Sequence, residues 1–157
     1  MTIIWPALTT STEQRLEELL GWRLAVTGRL FRSWADTHEG FREAGAQGTG
    51  LLVRLLEHDG LTQIALARLQ RVEAPTLCRM VDRLERDGLV ERRRHPEDRR
   101  AICLYLTPAG RRAARRGRKT AADIEHNLFG ILDDDEREQL AAMLDRLLAR
   151  LPIEATR

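Results

Sequence analysis

Within residues 61–106 the spacing of apolar residues changes from a period of 3.6 to a period of 2. This change restricts the available folds more than any other feature of the chain. Thr62 is a good N-cap for a helix over residues 63–70. After a tight connection, a longer helix is expected from about Ala74 to Asp87. Pro75 falls in its first turn, where the missing N–H is harmless, and Gly88 stands where the helix end needs a left-handed residue. Residues 89–94 and 101–106 then read as two strands, with Ile102, Leu104 and Leu106 alternating with Cys103 and Tyr105. The polar run His95-Pro96-Glu97-Asp98-Arg99-Arg100 joins them as a charged turn.

Helices flank this unit. Ser11 can cap a first helix, with Gln14 as the return half of a capping box, and that helix is expected to reach about Asp36. It carries two apolar stripes, Leu19, Trp22 and Val26 on one side and Leu16, Leu20, Leu24, Phe31 and Trp34 on another. A helix apolar on two sides needs cover on both, and a second subunit can supply one of them. Residues 40–50, with four glycines, read as a loop before a short helix over 51–57. Thr107-Pro108 opens a further helix that ends at Gly130. Asp133-Asp134-Asp135-Glu136 places acids at the positive end of a last helix, whose Leu140, Leu144, Leu147, Leu148 and Leu151 form a narrow stripe.

The whole is expected to be a single domain over 1–157, mainly α with a small β-hairpin wing (α+β). Residues 11–36 and 108–151 supply dimerisation helices. Residues 47–106 form a winged helix-turn-helix lobe, with the helix pair at 62–87 and the wing at 89–106.

Composition limits the function classes. The chain has 157 residues, 43% hydrophobic and 32% charged, an ordinary soluble balance for one domain with a core. No run of about 18 apolar residues exists, so no membrane partner is expected, and the N-terminal residues do not read as a signal peptide. Two cysteines, Cys78 and Cys103, are too few for a disulfide scaffold, and a reducing cytoplasm is the expected setting. Net charge is only +2, but residues 79–119 carry 14 basic and 6 acidic side chains, while the remainder carries 12 basic and 18 acidic. A basic segment in a compensating chain fits either a polyanion partner or a solvated face.

The helix pair and hairpin suit double-stranded DNA. A helix fits the major groove with its N-terminal residues at the base edges. An arginine-bearing hairpin tip can enter the neighbouring minor groove. Thr62 and Gln63, at the start of the first helix of the pair, can hold a phosphate through backbone N–H groups and side chains.

The run Leu61-Thr62-Gln63-Ile64-Ala65-Leu66-Ala67, then Val72-Glu73-Ala74-Pro75-Thr76-Leu77-Cys78-Arg79-Met80-Val81-Asp82-Arg83-Leu84-Glu85, then Gly88-Leu89-Val90-Glu91-Arg92, resembles the MarR family of bacterial transcriptional regulators. Asp98-Arg99-Arg100-Ala101 followed by Leu106-Thr107-Pro108-Ala109-Gly110 is similar to that family's wing signature, and Val72-Glu73-Ala74-Pro75-Thr76-Leu77 looks most like its SlyA branch. The resemblance implies a homodimer interlocked through its first and last helices, each winged unit reading half of a palindrome. It also implies base reading by Pro75, Thr76 and Arg79, and a wing arginine at Arg100 oriented by Asp98, next to Arg99. Arg83 and Arg86 lie further along the helix, as phosphate contacts or as pairs with Asp82 and Glu85. Arg92, Arg93 and Arg94 are adjacent, so in a strand they cannot all face DNA. The connection Gln70-Arg71 lacks the glycine often found there, and Gln47-Gly48-Thr49-Gly50 is unusually glycine-rich.

Other chemistry finds little support. Four histidines show no i,i+4 pairing and no Cys-x-x-Cys partner, so neither metal nor cofactor is expected. Gly48-Thr49-Gly50 lacks the lysine of a phosphate loop, and no catalytic serine–histidine–acid arrangement stands out, so an enzyme is not expected. Cys78, beside Arg79, reads either as a small packing residue or as a thiol sensor. Trp22, Phe31 and Trp34 read either as plain core or as the lining of a pocket for a small aromatic effector. The sequence therefore points to a dimeric transcriptional repressor released by such an effector. The alternative is a small-molecule sensor or sequestering protein with weak DNA binding.

Overall fold

The computed structural model describes residues 15–95, 97 and 101–151. The chain forms two compact units, residues 1–34 and 35–157. Among the described residues there are six α-helices and one three-stranded antiparallel sheet.

In the first unit, Leu16–Glu18 makes a single 3-10 turn, and Leu19 is extended (φ −73°, ψ 126°) before α1 (Leu20–Ala35) begins. The expected continuous helix is thus broken at Leu19, and its expected cap at Ser11 and Gln14 lies outside the described residues. The break is stabilised locally. Arg23 Nε donates to the Glu17 carbonyl at 3.0 Å, satisfying a group that a continuous helix would have used itself. Both apolar stripes are largely exposed, Leu20 at 81% and Trp22 at 41% of full exposure, with Val26 half-buried. The Phe31 and Trp34 rings touch, their centroids 6.4 Å apart and tilted by 50°.

The second unit holds the core. Its helices are α2 (Gly45–Glu57), α3 (Gln63–Gln70), α4 (Ala74–Arg86), α5 (Pro108–Phe129) and α6 (Asp134–Leu148). Its strands are β1 (Leu61–Thr62), β2 (Val90–Arg94) and β3 (Ile102–Leu106), in the order β1-β3-β2. Leu104 of β3 faces Leu61 on one side and Arg92 on the other. Leu51, Leu52 and Leu55 of α2 pack with Leu66 of α3, Leu77, Val81 and Leu84 of α4, and Leu104 and Leu106 of β3. All are essentially inaccessible to solvent, so a leucine-to-alanine change at Leu52 or Leu104 costs about 2–5 kcal/mol. The hairpin follows its expected alternation at Leu104 and Leu106, but Ile102, nearer the tip, is exposed, and Cys103, on the central strand between β1 and β2, is buried.

Residues 45–50, read from composition as loop, are helical: α2 starts at Gly45. The reason is tertiary. A Cβ on Gly117 of α5 would sit 2.0 Å from Thr49 Cγ2, so α2 approaches α5 more closely than any larger residue permits. Packing against α5 overrides the weak helix propensity of the glycines.

The caps agree with the sequence. The Thr62 hydroxyl accepts from Ala65 N–H, and Gly88 adopts φ +69°. The Thr107 hydroxyl accepts from Gly110 N–H at 3.0 Å and donates to the Gly88 carbonyl at 2.7 Å, pinning the start of α5 to the turn that ends α4. Asp133 and Glu136 form a reciprocal capping box at α6. Among the described residues nothing covers most of the leucine stripe of α6, in which Leu140 alone is half-buried. Leu144, Leu147, Leu148 and Leu151 are all exposed, as is Met143.

Candidate nucleic-acid interface

The helix pair expected to read DNA is α3 and α4, joined by three residues. Arg71 takes the left-handed conformation (φ 51°, ψ 44°) and its N–H bonds to the Ala67 and Arg68 carbonyls, closing α3. Glu73 is extended, Pro75 lies in the first turn of α4, and Leu77, Val81 and Leu84 turn the helix so that its other face is outward. That outward face carries Pro75, Cys78, Arg79, Asp82, Arg83 and Arg86. Arg79 Nη2 donates to the Thr76 hydroxyl at 3.2 Å, so two of the expected base-reading residues are brought together one turn apart. Pro75, immediately before Thr76 in the first turn of α4, is exposed beside them.

Thr62 and Gln63 are placed at the start of α3. The Thr62 oxygen is engaged as a cap, and Gln63 Nε2 donates to Cys78 Sγ at 3.7 Å. Cys78 is therefore an exposed thiol bridging the two helices, while Cys103 is buried in the sheet.

Arg83 pairs with Asp87 (Nε to Oδ2, 3.7 Å) rather than with Asp82 or Glu85. It borders a crevice of about 80 Å³ with Ala44, Gln47, Gly48, Met80 and Leu84. Sites for drug-sized molecules run to roughly 300–1,000 Å³, so this crevice does not hold one.

Asp82 and Glu85 are taken by the wing. Arg92 of β2 donates one guanidinium nitrogen to Asp82 at 2.5 Å and another to Glu85, while its backbone N–H donates to Glu85 at 3.2 Å. Burial alone lowers the Arg92 pKa. Hydrogen bonds and charge attraction from Asp82 and Glu85 outweigh it and hold the pKa above its ordinary value. This clamp fixes β2 against the reading helix. Sequence reasoning missed it, although an arginine in the strand that follows two acids three apart on the preceding helix was the available signal.

The three adjacent arginines thus divide. Arg92 is consumed by the clamp. Arg93 pairs with Glu91 and lies over the Tyr105 ring, 4.6 Å from its centroid. Arg94 is exposed, and among the described residues no ion pair engages its side chain. Strand alternation puts Arg94 on the same sheet face as Arg92, the α4 side, two residues nearer the hairpin tip. His95 N–H donates to the Ala101 carbonyl at 3.0 Å and closes the base of the turn. The wing residues Asp98, Arg99 and Arg100 lie outside the described residues.

Trp22, Phe31 and Trp34 stand on α1 in the first unit, each about 40% exposed. Among the described residues no cluster of His, Cys, Asp and Glu could hold a metal, and no helix is long and apolar enough to cross a membrane.

A sequence model of the MarR family matches residues 49–102, the span from α2 into β3. A protein assigned as transcriptional regulator of the hcr operon in Thauera aromatica is 35% identical over 98 residues, covering 62% of this chain and 59% of the relative. The organic hydroperoxide resistance transcriptional regulator of Bacillus subtilis is 30% identical over 102 residues, covering 64% of this chain and 67% of the relative. The chain spans about three-fifths of the length of the first curated relatives it matches. The fold superposes on S. aureus MepR, solved as a DNA complex, with a TM-score of 0.79 at 24% identity, over 85% of this chain and 99% of that one. These relatives are regulators of transcription rather than enzymes, and the matched family span takes in both reading helices and the first strand of the wing. The chain belongs to the MarR family of transcriptional regulators.

Proposed function

We propose that this protein is a sequence-specific DNA-binding regulator, acting as a homodimer that represses transcription from a palindromic operator. The carrying observation is the outward face of α4. Arg79 is held against Thr76 there, while the inward face is locked into the core. An arginine on that face can reach both acceptors of a guanine in the major groove. Pro75, Thr76 and Arg79 are the base-reading set in this account. Arg83 contacts a phosphate, Thr62 and Gln63 present the start of α3 to another, and Asp98, Arg99 and Arg100 form the minor-groove wing. The segment Val72–Leu77 supports a place in the SlyA-like branch.

The dimer reading rests on surface left unpartnered: the two stripes of α1 and the leucine stripe of α6. An obligate dimer would bury about 2,000 Å² or more in total. Helices α1, α5 and α6, within the segments 11–36 and 108–151, would supply that interface, with residues 47–106 as the reading lobe of one MarR-type domain. The exposed aromatic residues Trp22, Phe31 and Trp34 are where a small aromatic effector would stack, favouring a spacing of the two reading helices that no longer fits the operator. A regulator of this kind works in the cytoplasm, where its operator is.

The test is titration of the purified protein against the DNA upstream of its own gene and against a scrambled duplex. Specific binding exceeding scrambled binding by about a thousandfold supports the reading. Equal binding to both defeats it.

A further inference from the structure

Arg71 stands out twice. Among the described residues it is the one non-glycine with positive φ, in a region that arginine enters only at a cost glycine would not incur. Its side chain is also engaged far away: Nη1 donates to the Leu148 carbonyl at 3.0 Å, across 77 residues of sequence. Leu148 closes α6, and its carbonyl needs an outside partner. The residue four further on, which would donate in a continuing helix, is Pro152 and has no N–H. The Leu151 N–H goes to Leu147 instead. A guanidinium there satisfies the orphaned carbonyl and places positive charge at the negative end of the α6 dipole.

We propose that Arg71 is a positioning residue, tying the connection between the two reading helices to the C-terminal end of α6. Glycine would relax the backbone at this position, so the arginine side chain is what the strained conformation retains. Three residues beyond it α4 begins, and one turn back from Leu148 on α6 lies the unpartnered Leu144. A displacement of α6 by whatever covers its leucine stripe is therefore passed to the connection that aims α4. The functional part of this proposal rests on the DNA-binding reading above. The tie itself does not.

Two full-length variants test it, Arg71→Gly and Arg71→Lys. Arg71→Gly should keep the α3 end intact, because glycine suits the left-handed backbone. It should nonetheless speed hydrogen exchange at the Ala149, Arg150 and Leu151 amides about three- to tenfold, as the last turn of α6 loses its cap. Operator affinity should fall by a similar factor, with the slope of log affinity against log salt unchanged, and Arg71→Lys should restore most of both. Unchanged exchange at the end of α6 overturns the tie. A salt slope reduced by about one per half-site would make Arg71 a phosphate ligand and overturn the positioning role. If wild-type protein shows no operator preference, the proposed function fails on its own, and the exchange measurement still decides the tie.

Discussion

Arg92 on β2 and Asp82 on α4 meet at 2.5 Å, so the wing is fastened to the reading helix by an ion pair that Glu85 extends into a three-membered network. The Arg92 side chain is only 20% exposed, although both acids are more open to solvent. Arg92→Ala should therefore lower stability by about 1–2 kcal/mol, less than a fully buried network would lose. Urea denaturation measures this. The same variant should weaken operator binding by misplacing the wing, yet leave the salt slope unchanged. A slope that falls by about one per half-site would show that Arg92 contacts DNA instead. The raised Arg92 pKa stabilises the fold at every pH below its unfolded value, and that contribution is lost only in strong alkali. Arg92 itself therefore adds no pH dependence near neutrality.

Arg94 and Arg93 should separate in the same assay. Arg94→Ala should flatten the salt slope by about one unit for each phosphate that Arg94 neutralises, and weaken operator and scrambled DNA equally. Arg93→Ala should leave the slope alone, because Arg93 is held by Glu91 and Tyr105. A slope change in Arg93→Ala with none in Arg94→Ala would reverse the assignment.

Thr49 of α2 packs tightly against Gly117 of α5. Gly117→Ala should destabilise by about 1–3 kcal/mol through overpacking. Thr49→Ser removes the methyl that the new Cβ would meet, so the double variant should recover most of the loss. Additive effects of the two changes in a double-mutant cycle would contradict the contact.

Much of this was legible locally. Thr62, Gly88 and Thr107-Pro108 mark helix ends by chemistry that acts within three or four residues, and the alternation at Leu104 and Leu106 depends only on strand geometry. What could not be read depends on partners distant in sequence. The glycine-rich start of α2 is helical because Thr49 packs against Gly117 of α5, and the break at Leu19 hangs on the carbonyl that Arg23 takes from Glu17. Within the candidate site, the Thr76–Arg79 spacing was visible as one helical turn. The division of labour among Arg92, Arg93 and Arg94 required knowing that Asp82, Glu85 and Tyr105 face the strand they occupy.

The unpartnered stripe of α6 predicts association. Leu147→Asp places a charge in that stripe without touching the core, since Leu147 is half exposed in the single chain. Sedimentation of wild-type protein should give a dimer at micromolar concentration, and the variant should shift toward monomer while keeping its helical circular dichroism. A folded wild-type monomer at that concentration would contradict the dimer.

The central claim is that Arg79 reads sequence. It lies one turn beyond Thr76, on the outward face of α4, with its guanidinium already held by the Thr76 hydroxyl. Arg79→Ala should be compared with wild type on operator and scrambled duplexes across several salt concentrations. The variant should lose roughly 1–3 kcal/mol of discrimination per half-site while the salt slope hardly changes. An operator-to-scrambled ratio equal to that of wild type would contradict the claim.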